Sequence, residues 1–585
     1  MPYTYTDPDK VKLTEHFGLV WKLVEDLDKL FQTDTKDEAK YQQHLLKLCQ
    51  ISMEVFEVRD KAKRESAYIT HLIKFEQIEM KLLSSLMTAS NAFKFINCDI
   101  NIYLKLLNLR LYIQMIIRSL NANLVFPNYL VRDCGAEDSE TLAYRTILFT
   151  PLRNIQKLEI EALITAVPPS FRPLATLALA VERHIYDHGS SQKLKEIVRV
   201  LQQQVQLTFD DLPDLLFRIF FQSSYRIDED PDYKMRLYVV RGLRGGGPPP
   251  SQHPDLARTL LNSEGLNWLI IHERYSDDHA MNRCWAPYFQ RINEKHSLRE
   301  LLITDTSNSD VASILANDLY LHDMVQDNRI DVIFFPSIGM EKAVVSLACK
   351  RYAKIQIAGL GHPGEFPGME IDLVVGGGAY DIRYNEYANV FTDGVVFAKH
   401  PDSARIPTKL TNADQPSVLG IPSKALKLSA RFLQCLKRIN RQLPNVKIVF
   451  FPGEIDGLPM AAASNFLLEQ FPSAEIRRMQ GYSDYMNRLS TIDLVVNPFP
   501  FGNSNGIVDC IKLGVPIVCL EQNAICQSVA DSQLIHQVEI TGACAKSEGQ
   551  LESIVYKFFT DSDFRDSYRQ QFNRIQYEKN MLFES

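Results

Sequence analysis

The residues NPFPFGNSNGIVD, Asn497 to Asp509, combine types and spacing that could do chemistry. An apolar run, Leu494 to Val496, leads into Pro498 and Pro500. Gly502, Asn503, Ser504, Asn505 and Gly506 follow, and then a helical stretch, IVDCIKLG. Strand, glycine-rich turn and helix start, in that order, present unpaired backbone N–H groups and a partial positive charge, and small residues let a diphosphate approach closely. Ser504 and Asn505 add side-chain donors. Asp509 falls in the first turn of the expected helix. An acid is favoured there by the dipole, and its carboxylate is also placed to accept hydrogen bonds from ribose hydroxyls. A capped helix after a tight turn accounts for the same residues without any ligand, so the local pattern leaves both readings open. Asp228, Glu229 and Asp230 in RIDEDPD imitate a metal-binding DxD but precede the first sheet in an acid-rich loop, and no metal site is expected there.

A turn of this kind needs sheets to carry it, and the chain supplies them after a helical beginning. Up to Tyr225 apolar residues recur at three- and four-residue intervals, as in Ile69, Leu72, Ile73, Phe75, Ile78, Leu82, Leu83 and Leu86, which predicts an all-helical domain over residues 1–225. The run RGLRGGGPPPSQHPD joins permissive glycines to helix-stopping prolines, so 226–255 reads as a linker or exposed loop. Short apolar runs then alternate with helical stretches: LNWLIIH, DVIFFPS, IQIAGLG and IDLVVGGG within 256–405, and VKIVFFPG, DLVVNPF and PIVCL within 406–585. Strands apolar on both faces and separated by helices predict two α/β lobes with parallel sheets, and ligands settle beyond the carboxyl ends of such strands.

At 585 residues the chain is too long for one core. Its 45% hydrophobic and 23% charged residues suit a globular protein. Lys plus Arg number 64 against 71 acids, a net charge of −7 that offers no broad basic footprint, so nucleic acid is not expected as a partner. The start, MPYTYTDPDKVKLTEHFG, lacks the basic residues and apolar run of an export signal. No apolar stretch approaches the roughly 20 residues that span a bilayer, so no integral membrane association is expected. The ten cysteines form no CxxC pair, which fits buried thiols in a reducing cytoplasm.

Four segments together carry a resemblance: FFPSIGM (Phe334 to Met340), GLGHP (Gly359 to Pro363), the ALKL stretch at Ala425, and NPFPFGNSNGIVD. From about Leu266 to the carboxyl end, in order and spacing, the chain resembles the cytoplasmic glycosyltransferases of bacterial high-molecular-weight adhesins, in glycosyltransferase family 41 beside the O-GlcNAc transferases. The resemblance implies a GT-B fold, two Rossmann-like lobes preceded by an all-α domain, with the acceptor side on 256–405 and the nucleotide-sugar side on 406–585. By the same resemblance, Lys427 binds the donor diphosphate and neutralises the leaving UDP. Asn505 contacts the diphosphate and Asp509 the ribose, with Asn503 and Ser504 in the same turn. His362 lies near donor or acceptor, and His279 is a candidate for proton transfer on the acceptor side.

Departures from the pattern matter as well. Gly364 and Glu365 replace a threonine pair, Glu454 stands for a glutamine near the donor, Lys424 for a small or amide side chain, and Met479 for a histidine. The expected activity is inverting, metal-independent transfer of a hexose, most simply glucose from UDP-glucose, to asparagine side chains of a protein acceptor, a secreted adhesin before export. No cofactor is expected beyond the UDP-sugar donor. Transfer to Ser or Thr, or of another UDP-sugar, is an alternative. A non-catalytic GT-B partner or chaperone of a protein glycosylation system is another, motivated by Glu454, Glu365 and Met479.

Overall fold

In the computed structural model the described residues are 21–26, 29–31, 38–64, 68–92, 106–107, 109–120, 139–180, 188–203, 217, 220–221, 225, 230–245, 250, 253–275, 285, 289–290, 292–359, 366, 368–375, 416–453, 457–479, 481–521, 531–532, 534–536 and 538–575. They divide into two compact units, Met1–Gln204 with Glu454–Pro472, and Val205–Gly453 with Ser473–Ser585.

The first unit is helical, as its periodicity predicts. Its helices include Glu38–Arg64, Tyr68–Ala92, Arg110–Ser119, Ser139–Phe149, Lys157–Ala166, Arg172–Ala180 and His188–Gln202. Leu45, Leu48, Ser52, Val55 and Phe56 of the first are buried, as are Ile78, Leu82, Leu86 and Ala89 of the second, so the three–four spacing marks the inward stripe.

Arg110 lies at the centre of this unit with no exposure. Its guanidinium donates to the carbonyls of Ala178 at 2.8 Å, of Ile147, of Leu148 at 3.4 Å and of Thr150 at 3.3 Å. Carbonyls at a helix carboxyl end have no partner within the helix and attract a cation. Arg110→Met would take this donor from the carbonyls of Ala178, Ile147 and Thr150, whereas Leu148 keeps the Gln114 amide at 3.3 Å, and is expected to destabilise the protein by about 3 kcal/mol, read as a lowered urea midpoint.

The unit also takes in the helix Gly457–Gln470. The residues 406–585, read from sequence as one lobe, therefore contribute a segment to the helical unit. Ala461, Ala462 and Ala463 are small enough for close helix approach, and Gly457 (φ +73°) sits 3.1 Å from Glu57 Cγ, measured from the place a Cβ would take. Asn465 donates to the Ser119 carbonyl at 2.8 Å, and Arg118 lies over the Phe466 ring at 5.1 Å.

The second unit holds two fully parallel sheets. The first contains β1 (Asn267–His272), β2 (Ser297–Leu302), β3 (Val332–Phe335), β4 (Ile355–Gly359) and β5 (Leu373–Val375) in the order β2-β1-β3-β4-β5. The second contains β6 (Val418–Ile421), β7 (Lys447–Phe450), β8 (Glu475–Ile476), β9 (Leu494–Val496), β10 (Ile517–Leu520) and β11 (Cys544–Ala545) in the order β11-β10-β9-β6-β7-β8. Strands β3, β4, β9 and β10 are buried along their whole length, which is why they read as apolar runs, interrupted in β4 only by the buried, hydrogen-bonded Gln356.

The stretch assigned to a linker, 226–255, requires correction, because it carries the helix Asp230–Leu243. Leu237 and Val240 from that helix pack against Gly368 (φ +74°), and Arg244 pairs with Glu370 at 3.2 Å. The apolar residues of MRLYVV precede the glycine–proline run and form a helix of the second unit before that run stops it.

Candidate functional site

Counted within its own lobe, the second sheet has the doubly wound order 3-2-1-4-5-6, which reverses between β6 and β9. In such sheets the ligand crevice lies beyond the carboxyl ends of the two strands at the reversal. Both segments singled out in the sequence emerge at that point. β6 runs through Pro422 and Ser423 into the 3-10 turn Ala425–Lys427, and β9 runs into the turn that ends at Asn503, the N-cap of the helix Ser504–Leu513.

Asn503 ties the two loops together. Its Oδ1 accepts from Lys427 Nζ at 3.0 Å, and its Nδ2 donates to the Pro422 carbonyl at 2.7 Å. That amide lies 2.1 Å from where a Cβ on Gly506 would stand, so a glycine is required at that position. Lys427 Nζ also sits 5.1 Å from the centroid of Phe501, whose ring is 4.9 Å from that of Tyr225. Burial pulls the Lys427 ammonium down to about 8, with Asp531 opposing the shift and Lys424 adding to it.

The helix begins at Ser504, three residues earlier than the IVD start read from sequence. Ile507 N–H donates to the Asn503 carbonyl at 3.1 Å, which closes the first turn around Ser504, Asn505 and Gly506. The placement of Asp509 in the first turn is therefore corrected: it lies in the second, and the helix dipole does not explain it. Its position is set instead by Tyr482, whose hydroxyl donates to the buried Asp509 carboxylate at 2.5 Å. Asn505 is partly exposed at the helix start.

Asp531, Tyr482, Phe501 and Tyr225 were not singled out by sequence reasoning. Asp531 is 2% exposed. It accepts from the Asn503 N–H at 2.9 Å, the Ser504 hydroxyl at 2.5 Å and the Asn497 amide at 2.6 Å. Burial pushes its carboxyl up to about 6, against the pull of these donors and of Lys427. Lys424 is exposed, with its Cγ 2.7 Å from the Cβ position of Gly453 (φ +72°), and Met479 is partly buried after β8. His279, His362, Glu454 and Glu365 lie outside the described residues, as do Asp228 and Glu229, whereas Asp230 opens the helix Asp230–Leu243.

The first sheet reverses between β1 and β3, where FFPSIGM emerges from β3. That loop is held by Glu273, 1% exposed, which follows β1. Its carboxylate accepts from the Ser337 hydroxyl at 2.8 Å and from the N–H groups of Gly339, Met340 and Glu341 at 2.6, 2.9 and 3.0 Å. Burial pushes the Glu273 carboxyl up to about 7 despite these four donors.

No family model matches the chain. A solved point mutant of the O-GlcNAc transferase of Thermobaculum terrenum superposes with a TM-score of 0.52 at 14% identity, covering 94% of this chain and 95% of that one. The fold is GT-B, preceded by helices. Two curated relatives from Actinobacillus pleuropneumoniae, serotype 5b (strain L20) and serotype 7 (strain AP76), are both named UDP-glucose:protein N-beta-glucosyltransferase. Each is 30% identical, over 213 and 211 residues, or 34% of this chain. These matches span 33% of the relatives' own length. The resemblance read from the four motifs thus stands on sequence as well as on fold. In the GT-B arrangement Lys427 and the turn at Ser504 occupy the switch point of the second lobe. Among the described residues no helix is long and apolar enough to cross a membrane.

Proposed function

We propose that the chain is a UDP-sugar-dependent protein glycosyltransferase that moves glucose from UDP-glucose onto asparagine side chains, with inversion and without a metal. The observation that carries this reading is the cation and the helix start brought together by Asn503 at the switch point of the second lobe. The acceptor nitrogen attacks the anomeric carbon, the bond from that carbon to the β-phosphate oxygen breaks, UDP departs with the electron pair, and the nitrogen's proton passes to a base. His279 is proposed as that base. Lys427 and the N–H groups of the first helical turn meet the charge that develops on the diphosphate. Asn505 is assigned to the diphosphate and Asp509 to the ribose, with Glu454 and His362 lining the donor. The relatives' names support UDP-glucose as donor and a nitrogen of the protein as acceptor. A secreted adhesin acceptor and a cytoplasmic location belong to the same proposal.

Incubation with UDP-glucose and an asparagine-rich fragment of a bacterial surface adhesin is expected to add hexose units to that fragment in intact-mass spectra, with fragmentation placing them on asparagine. Absence of transfer from UDP-glucose, or mapping to serine and threonine, would refute this function. A smaller effect tests the ribose assignment. Tyr482→Phe removes a donor that positions Asp509 but leaves its carboxylate in place, and is expected to weaken UDP binding by about five- to tenfold in calorimetry, the net worth of one typical hydrogen bond, about 1 kcal/mol.

A further inference from the structure

The turn read as a diphosphate cradle already holds a carboxylate. Asp531 takes the Asn503 N–H and the Ser504 hydroxyl at the start of the helix, and the Asn497 amide at the end of β9. These are groups that a strand–turn–helix site turns toward an anion. The turn is shaped around this side chain, for a Cβ on Gly502 (φ +80°) would stand 1.9 Å from Asp531 Oδ2. A neutral side chain would cap the turn equally well. A buried carboxylate does something an amide does not: it repels an incoming anion until it takes a proton or moves away.

We propose that Asp531 is an internal competitor for the sugar-nucleotide diphosphate, sharing the positive end of one turn with it, so that donor binding takes up a proton at Asp531. This inference rests on the reading of the turn as the donor site. Lys427 faces the carboxylate from the loop after β6, with Lys424 three residues earlier. Among the described residues, Cys519 from β10 also faces Asp531, and Cys519 in turn is met by Cys544 from β11 and by Glu521. Cys519 is held well above the ordinary thiol range by its hydrogen bond to Cys544 and by burial, and stays neutral.

With its carboxyl at about 6, Asp531 is mostly ionised near neutrality in the free protein. A diphosphate beside it raises that value further. The complex then binds more protons than the free protein, so affinity falls as pH rises through about 6. UDP-glucose has both phosphates esterified and does not titrate between about pH 5 and 7. Lys427, at about 8, remains charged over the same window.

The test is calorimetric titration of UDP-glucose into the full chain at about pH 5 and 7, in two buffers of different ionisation heat. The expected wild-type result is proton uptake and about tenfold weaker binding at the higher pH. Asp531→Asn is expected to bind at neutral pH as tightly as the wild type does in acid, with no uptake. Asp531→Ser serves if that variant does not fold, with the same loss of uptake expected. Wild-type binding without proton uptake, or variants that keep the wild-type pH profile, would overturn the inference alone. Absence of UDP-glucose binding to the wild type would overturn the donor-site reading and this inference with it.

Discussion

Lys427→Ala is expected to weaken UDP-glucose binding by about ten- to a hundredfold and to lower the rate of hexose transfer by a further hundred- to thousandfold. The first figure follows from losing a hydrogen bond from a charged donor, worth about 1.5–3 kcal/mol. The second follows from losing a positioned donor at the place where charge develops, worth about 3–4 kcal/mol. Calorimetry and a single-turnover transfer assay separate the two. A misfolded variant would mimic both losses, so the urea midpoint of the variant is measured beside them. Burial lowers the Lys427 ammonium to about 8, so the folded chain holds this charge less comfortably than the unfolded chain does. The sign of the pH dependence follows from the same fact. A lysine lowered in the free protein loses its proton as pH rises through about 8, and donor affinity falls with it. Lys427→Arg stays charged and is expected to lose that alkaline decline.

Gly502→Ala is expected to cost about 2–5 kcal/mol of stability and to reduce UDP-glucose affinity in parallel. Two causes add. The φ of +80° is a left-handed conformation that costs an alanine about 1–2 kcal/mol. The new methyl would also stand 1.9 Å from a carboxylate oxygen of buried Asp531, and relieving such an overlap costs about 1–3 kcal/mol. Relief moves the strained turn as well as Asp531, and displacing the backbone of Asn503 and Ser504 carries the helix start away from Lys427, which outweighs any gain from freeing donors now held by Asp531. Urea unfolding gives the first quantity and calorimetry the second. Adding Asp531→Ser to Gly502→Ala is expected to recover the collision but not the backbone strain, so the two substitutions will be less than additive.

How much of this site is legible in the sequence depends on the range of the interactions that make it. Strands β3, β9 and β10 were legible because burial on both faces leaves an unbroken apolar run, and β4 because a single buried Gln356 interrupts one. β2, SLRELL, was not, because it is an edge strand with three exposed residues. β6 was missed because it is four residues long and carries Gly420, whose Cβ position lies 2.6 Å from Ile492, so glycine there answers a packing demand from a distant loop. The turn at Gly502 and the helix after it were legible as local chemistry, and the helix start was misplaced by three residues because Asn503 takes the cap. Lys427 became visible only through resemblance, since one lysine carries no pattern of its own. Asp531 gave no signal at all: its partners lie 28, 27 and 34 residues away, and one acid in SVADSQL looks like any surface acid. The crossover helix Gly457–Gln470 likewise read as part of its lobe, because the affinity of its three alanines for the helical unit is set by shape at contact.

The claim at the centre of this account is that the reversal between β6 and β9 is where the sugar nucleotide binds. A crystal structure with UDP addresses it directly. The account predicts the diphosphate beyond the ends of those strands, against Lys427 Nζ and the N–H groups of the helix that starts at Ser504, with the ribose toward Asp509. UDP bound elsewhere, with the Lys427 to Asn503 contact intact and untouched, would contradict it.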